Sequence, residues 1–252
     1  MQVVGYETTP GGGPAALRVA DAGEVDRVPL VAGNELAYTL GDRHCAGVDR
    51  GSDGHRTCQR PDAPYCDEHT STWPCARCTG NCAMPLDSCH EEHAVYLAAF
   101  APDTFKVGVT RSWRLDTRLR EQGADRAAHI RTVEDGRRAR RIEAGIADRI
   151  PDRVRVPTKL DGFGESVDDE AWQALVDDFD PIEEFAFDYG VDVDSRPVAE
   201  TMLTGTVRGT KGRVLLLDRQ GTTYGVDMRD LVGHDLTAGA DDRDVQSSLG
   251  AF

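Results

Sequence analysis

All seven cysteines of the chain fall between residues 45 and 89: Cys45, Cys58, Cys66, Cys75, Cys78, Cys82 and Cys89. Histidines lie among them and beside them, at His44, His55, His69, His90 and His93. An odd number of thiols argues against a disulfide framework, and an intracellular chain keeps its thiols reduced. Metal ligation is the chemistry that fits. Zn²⁺ takes four thiolate or imidazole ligands in a tetrahedron. Cys75 and Cys78 have the C-x2-C spacing that lets two sulfurs reach one ion from a tight turn, and Cys82 and Cys89 complete a local set of four. Cys66 and His69 form a second such pair, which Cys45 and Cys58 can complete. Seven thiols plus His69 thus supply two closed sites, so one or two structural zinc ions are expected. His44, His55, His90 and His93 are alternative ligands, and the partition between the sites stays open.

A second kind of chemistry is suggested by charge. The chain has a net charge of −15, and its bases are 26 arginines against three lysines, Lys106, Lys159 and Lys211. An acidic, lysine-poor surface suits a cytoplasm at very high salt, where screening weakens self-repulsion. A salt-loving archaeal source is therefore expected, and the overall acidity says little about the partner. One stretch goes against it. Residues 111–141 hold ten arginines and five acids, a net of +5, which leaves −20 for the rest. Arg111, Arg114, Arg118, Arg137, Arg138 and Arg141 are the candidates for a phosphate-binding surface. A solvated helix face is the ordinary alternative.

These residues need elements to position them. Residues 45–93 are poor in apolar residues and must be stapled by metal rather than by a core. Ahead of them, residues 1–44 read as β strands with turns, such as "MQVVGY" and "NELAYTL". Residues 94–160 have the clearest α/β pattern. "AVYLAAF" and "FKVGVT" read as a hairpin joined by "APDT". A helix from about Trp113 to Gln122 stops at Gly123, and "AAHIRTV" reads as a third strand. A longer helix runs from about Glu134 to Ile150, with Ile142, Ile146 and Ile150 on one face. Residues 161–200 hold fourteen acids and one base, and "DDEAWQALVDDFD" within them reads as an amphipathic helix amid loop or solvated edge. Residues 201–252 read as three short strands and a tail, and these strands can pair with the N-terminal ones to close a small barrel. The expected class is α+β: a cysteine-rich zinc segment, a central α/β domain and a barrel-like domain from the two ends. No run of 18 apolar residues exists, and the N-terminus has neither a basic n-region nor an apolar h-region. A soluble, cytoplasmic protein with no membrane partner is expected.

The hairpin and its flanks carry two resemblances. "VYLAAFAPDTFKVGVTRSWRLDTRL" resembles the start of the GIY-YIG nuclease superfamily. Val95-Tyr96 stands where that family has Ile-Tyr, and Val107-Gly108 where it has Ile-Gly, followed by Thr110. Ala94 replaces the first glycine and Lys106 the second tyrosine, and no asparagine follows Glu143 to fill the later polar position. The resemblance covers about residues 94–160. The chain more broadly resembles an uncharacterised prokaryotic family catalogued as a domain of unknown function, through the cysteine cluster, Val95–Ala98, Lys106–Arg111, Thr117–Ala124 and Gly209–Asp218.

The nuclease resemblance implies a GIY-YIG-like fold and a catalytic set of Tyr96, Lys106, Arg118 and Glu143. Phosphodiester hydrolysis needs an activated water, a cation near the bridging oxygens and positive charge on the phosphate. Tyr96 would relay or accept the proton, and Lys106 would lower its pKa or touch phosphate. Arg118 would clamp the phosphate, and Glu143 would hold Mg²⁺ or Mn²⁺ with waters. The expected function is a zinc-containing protein that binds DNA or RNA; divalent-metal-dependent cleavage is what the superfamily resemblance would add. A non-catalytic RNA- or ribosome-associated module is the alternative, favoured by the missing tyrosine. A protein–protein adaptor using residues 161–200 is the third.

Overall fold

The structure is a computed structural model that describes residues 1–8, 13–51, 54–70, 79–82 and 87–242. The chain divides into two units: residues 1–71 with 189–252, and residues 72–188. In chain order the first unit supplies β1 (Gln2–Glu7), β2 (Ala16–Asp21), β3 (Glu24–Pro29), β4 (Glu35–Arg43), β5 (Val48–Asp49) and β6 (His55–Arg56). The second supplies β7 (His93–Phe100), β8 (Thr104–Arg111), α1 (Leu115–Gln122), β9 (Arg126–Val133), α2 (Gly136–Ala147), α3 (Val156–Asp161), α4 (Asp169–Asp177) and β10 (Glu183–Ala186). The first unit resumes with β11 (Val198–Ala199), β12 (Leu203–Lys211), β13 (Val214–Arg219), β14 (Thr222–Asp227), α5 (Met228–Leu231) and β15 (His234–Ala238). The mixed α+β class holds. The expected cysteine-rich stretch 45–93 is shared between the two units.

In the first unit nine strands form one sheet in the order β11-β14-β13-β12-β4-β15-β1-β2-β3. The two chain ends do meet, since β15 lies between β4 and β1. The expected barrel-like closure is corrected: the sheet is open, ending at β3 and β11. The physical reason is visible at the ends. The strand β11 is only two residues long, and β3 exposes Glu24, Asp26 and Arg27, charges that blunt an edge rather than invite pairing. One apolar cluster nevertheless gathers Val3, Leu17, Leu36, Leu203, Leu215 and Val226 from strands along the sheet, so one face curls over a shared core.

In the second unit the order is β10-β9-β7-β8, antiparallel throughout. The central strand β7 is buried over all but its first residue, which explains its unbroken apolar run. Val95, Leu97 and Ala99 face Ile142 and Ile146 of α2 and Trp172 of α4. Ala94, Tyr96, Ala98 and Phe100 face Leu115 and Leu119 of α1. The hairpin of β7 and β8 is as the sequence indicates, with Tyr96 paired to Gly108 and Ala98 to Lys106. Helix α2 begins at Gly136 because the Asp135 carboxylate takes the N-cap, accepting from the Arg138 N–H at 2.8 Å. Helix α1 ends at Gly123 as expected. The acidic segment also contributes a strand that its composition concealed: β10 pairs with β9, and Phe185 packs on the Tyr96 face. Among the described residues no helix is long and apolar enough to cross a membrane.

Gly108 is required by close approach. A Cβ there would sit 2.4 Å from Tyr96 Oη and 2.5 Å from its Cζ, because the tyrosine ring lies across the opposite strand. Gly108→Ala must displace that ring, with an overpacking loss of about 1–3 kcal/mol. Urea unfolding of the variant should show this loss, and an unchanged midpoint would mean that the ring moves freely.

Candidate functional site

Two constellations stand out, one in each unit. In the first unit the ligand atoms of Cys45, Cys58, Cys66 and His69 all lie within 4.8 Å of one another. His69 Nδ1 is 3.4 Å from Cys45 Sγ and 3.3 Å from Cys66 Sγ, and the sulfurs of Cys58 and Cys66 are 4.0 Å apart. A tetrahedral zinc with Zn–S near 2.3 Å and Zn–N near 2.0 Å has S–S edges of about 3.8 Å and S–N edges of about 3.5 Å. The four side chains therefore fit a closed metal site, and this donor set is consistent with structural zinc.

Local structure explains how they meet. Cys45 follows β4 directly, and its N–H bonds to Arg60 O at 2.8 Å. Cys66 and His69 sit on one turn, closed by the N–H groups of His69 and Thr70 bonding to Cys66 O at 3.1 and 2.8 Å. The N–H groups of Gly47 and Cys66 donate to Cys45 Sγ at 3.4 and 3.3 Å, which favours the thiolate. Burial pushes the Cys45 thiol up. Burial acts the same way on Cys66, but the Cys45 side chain and the N–H groups of Glu68 and His69 outweigh it and bring Cys66 to about 7. Such a thiol gives up its proton readily to a metal.

Of the alternative histidines, His44 and His55 brace this site, while His93 belongs to the second unit. His44 Nδ1 contacts Cys58 O at 2.8 Å and its Nε2 lies 3.2 Å from Asp235. His55 Nε2 contacts Ala46 O at 2.7 Å, and His93 Nδ1 contacts Glu91 O at 2.7 Å. Of the second expected set, Cys75 and Cys78 lie outside the described residues; Cys89 is buried and Cys82 half-buried.

In the second unit two of the residues singled out by the nuclease resemblance, Tyr96 and Lys106, meet at one amide. Gln122, at the end of α1, accepts a hydrogen bond on Oε1 from Lys106 Nζ at 2.9 Å. Its Nε2 donates to Tyr96 Oη at 2.7 Å and to Arg118 O at 3.1 Å. An ammonium has only donors, so the amide oxygen must face Lys106 and the amide nitrogen must face Tyr96. Tyr96 Oη is thereby an acceptor, and its own proton is directed elsewhere. Tyr96 and Lys106 are both buried. Burial raises the Tyr96 pKa, with Arg118 opposing. Burial lowers Lys106 to about 8, with Arg118 adding to the effect and Glu143 and Asp152 opposing it. Glu143, on α2, is thus close enough to act on both, and its Oε2 accepts from Arg140 at 2.7 Å.

Gln122 and Lys159 were not among the expected residues. Lys159 Nζ donates to Gln122 O at 2.6 Å and lies 4.2 Å from the centre of the Phe100 ring. Gln122 had a signal, since it stands in "TRLREQGA" just before the helix-ending glycine. Lys159 had none, because only folding brings α3 to the end of α1.

The expected arginine surface is partly neutralised. Arg111 pairs with Glu91 at 3.2 Å, and Glu121 holds both Arg114 at 2.8 Å and Arg118 at 3.3 Å. Arg118 stays exposed. Arg137, Arg138 and Arg141 show no ion pair among the described residues; Arg138 and Arg141 are exposed, although Gly80 packs against Arg137 O and the Arg141 side chain.

A family model described as "Protein of unknown function (DUF2797)" matches residues 33–236. The match takes in both constellations. No curated protein and no solved structure matches the chain.

The metal centre is tested directly. Purified protein should contain at least one zinc per chain by elemental analysis. Cys58→Ser with Cys66→Ser should lose one equivalent and melt the segment around residues 45–70. A chelator should do the same to the unaltered chain. Metal-free protein with an unchanged unfolding midpoint would refute the assignment.

Proposed function

Because the chain belongs to the family of proteins of unknown function DUF2797, whose description assigns no activity, we propose from its site geometry that it binds nucleic acid, with zinc as a structural staple. The observation that carries this reading is Lys106, a buried ammonium held by an amide oxygen beside the exposed Arg118. Lys106 is near enough to feel the charge of Arg118, and two neighbouring cations would make a receptor for a phosphate. The net charge of +5 over residues 111–141 supports the same reading.

Cleavage is a second reading, favoured by Tyr96 and Glu143. With Oη accepting from Gln122, the Tyr96 hydroxyl proton is available to a phosphate oxygen or to Glu143. Arg118 would neutralise the phosphate, and Lys106 would hold charge against the leaving oxygen. Glu143 fits as the single protein ligand of a Mg²⁺ or Mn²⁺ ion, since Arg140 takes Oε2 and no bond to Oε1 is seen among the described residues. Such an ion, when bound, supplies Lewis-acid charge at the phosphate.

Two measurements test these readings. Arg118→Ala should weaken oligonucleotide binding and reduce its salt slope by about 1, as for one lost phosphate contact. Glu143→Ala should abolish any cleavage with Mg²⁺ or Mn²⁺ and spare binding; equal cleavage by both proteins would exclude the catalytic role. The second measurement uses pH. Lys106 titrates near 8 in the folded chain, below the ordinary 10.5, so affinity should fall as pH rises through about 8. Lys106→Met should bind weakly and without that step. Stability should move the other way: the unfolded chain holds more protons between about 8 and 10.5, so folding gains as pH rises across that window. A pH-independent affinity would separate Lys106 from the ligand.

A further inference from the structure

Trp113 has no part in either constellation, yet it is the most exposed large apolar side chain among the described residues, at 70%. It sits on the short turn Ser112–Arg114 between β8 and α1, and Ser112 N–H anchors that turn to Glu92 O at 2.9 Å. The ring is held despite its exposure. Its Nε1 donates to Glu91 Oε2 at 3.0 Å, while Glu91 Oε1 accepts from Arg111 at 3.2 Å. The Arg111 guanidinium lies 4.8 Å from the ring centre and that of Arg114 lies 5.9 Å away. Fixing a large side chain in water forfeits rotamer entropy without the compensation of burial. An indole that stays 70% exposed, with two guanidiniums lying over its ring, is suited to receive a planar ligand that carries negative charge on the surface left open.

We propose that Trp113, braced by Glu91, Arg111 and Arg114, is a stacking platform for an unpaired nucleobase. This rests on the nucleic-acid reading above and specifies it as recognition of a single strand. A paired base is stacked on both faces within its helix, whereas a base of a single strand has a free face to give. The position suits a continuous strand. Arg114 and Arg118 are four residues apart and share Glu121, so the phosphate-directed cations follow the ring by one helical turn. Stacking also persists in strong salt, where purely ionic phosphate contacts fade.

The test uses the full zinc-loaded chain with twelve-nucleotide oligo-dT and oligo-U and a blunt DNA duplex, each at low and at molar salt. Single strands should quench the tryptophan emission of the unaltered protein. Trp113→Phe should lose the part of that quenching that reports on Trp113, while its affinity stays within a few-fold. Trp73 and Trp172 are common to every variant, so the difference between the two proteins isolates Trp113. Trp113→Ala should bind single strands roughly 5- to 150-fold more weakly, with the larger share of the loss persisting at molar salt. Its unfolding midpoint should not move, because the side chain is exposed. Oligo-dT and oligo-U binding alike would assign the platform to bases in general, and preference for one would assign it to that nucleic acid. Unchanged single-strand affinity in Trp113→Ala, with Arg118→Ala still weakened, would overturn the platform and leave the nucleic-acid reading standing. No binding of any probe by the unaltered chain would overturn both. Emission that changes with protein concentration alone would place a second copy of the chain on the ring and overturn the nucleobase assignment.

Discussion

An ammonium group on a buried face of a sheet is the constraint around which the central unit is organised. Lys106 projects from edge strand β8 onto the face that carries Tyr96 and Phe100, where isolated charge is strongly disfavoured. Its arrangement makes that position tolerable. The Gln122 amide oxygen supplies a direct acceptor, and Glu143 and Asp152 lend opposite charge through space. Gln122 can serve only because α1 ends where it does, with Lys159 on its carbonyl and Gly123 turning the chain away. The tyrosine then inherits its hydrogen-bonding role from the amide, and Gly108 must lack a side chain to leave room for the ring. Removing the lysine would leave the Gln122 amide oxygen without its ammonium donor.

The metal centre solves a different problem by similar means. The segment from Cys45 to His69 holds two-residue strands and few apolar anchors, so its own packing cannot order it. A metal held by these four side chains, which come from three separated points of the chain, would do so, and the chain adds a surrounding layer. His44 spans Cys58 O and Asp235, and Gln2 donates to Cys45 O at 3.3 Å and to Gly233 O at 3.0 Å. These bonds tie the ligand loop to β1 and β15, where the two ends of the chain meet. A metal held there would thereby support the sheet as well as the loop.

How much of this could be read from sequence varies with the range of the interaction. Ligand spacing is local, and Cys66 with His69 was legible for that reason. Cys45 and Cys58 followed from counting donors. The hairpin and the α2 face were legible because periodicity is local too, whereas the hairpin's register comes from the structure. The open edge of the nine-stranded sheet was not, since closure depends on how end strands twist and on charges such as those of β3. Strand β10 was masked by acidic composition, and only its pairing with β9 reveals it. The charge run at residues 111–141 was legible as composition but not as surface. Folding supplies Glu91 and Glu121 as partners from outside or between the arginines. Histidines present the same limit, for His44 and His55 have the right chemistry for ligation and the wrong neighbours.

On the proposed reading, that neutralisation bears on how an acidic chain would recognise a polyanion at all. With a net charge of −15, long-range attraction to phosphate is absent or reversed, and salt both relieves the repulsion and screens the contacts. What remains effective under such conditions is short-ranged. A buried ammonium keeps its charge out of the screening solvent, and a planar guanidinium gains from geometry as well as from Coulomb attraction. An exposed indole acts through contact area and is indifferent to ionic strength. Lys106, Arg118 and Trp113 supply one of each within a single hairpin and the helix that follows it. Pairing the remaining arginines with carboxylates costs such a protein little, because those arginines could not have drawn a nucleic acid from a distance through that field.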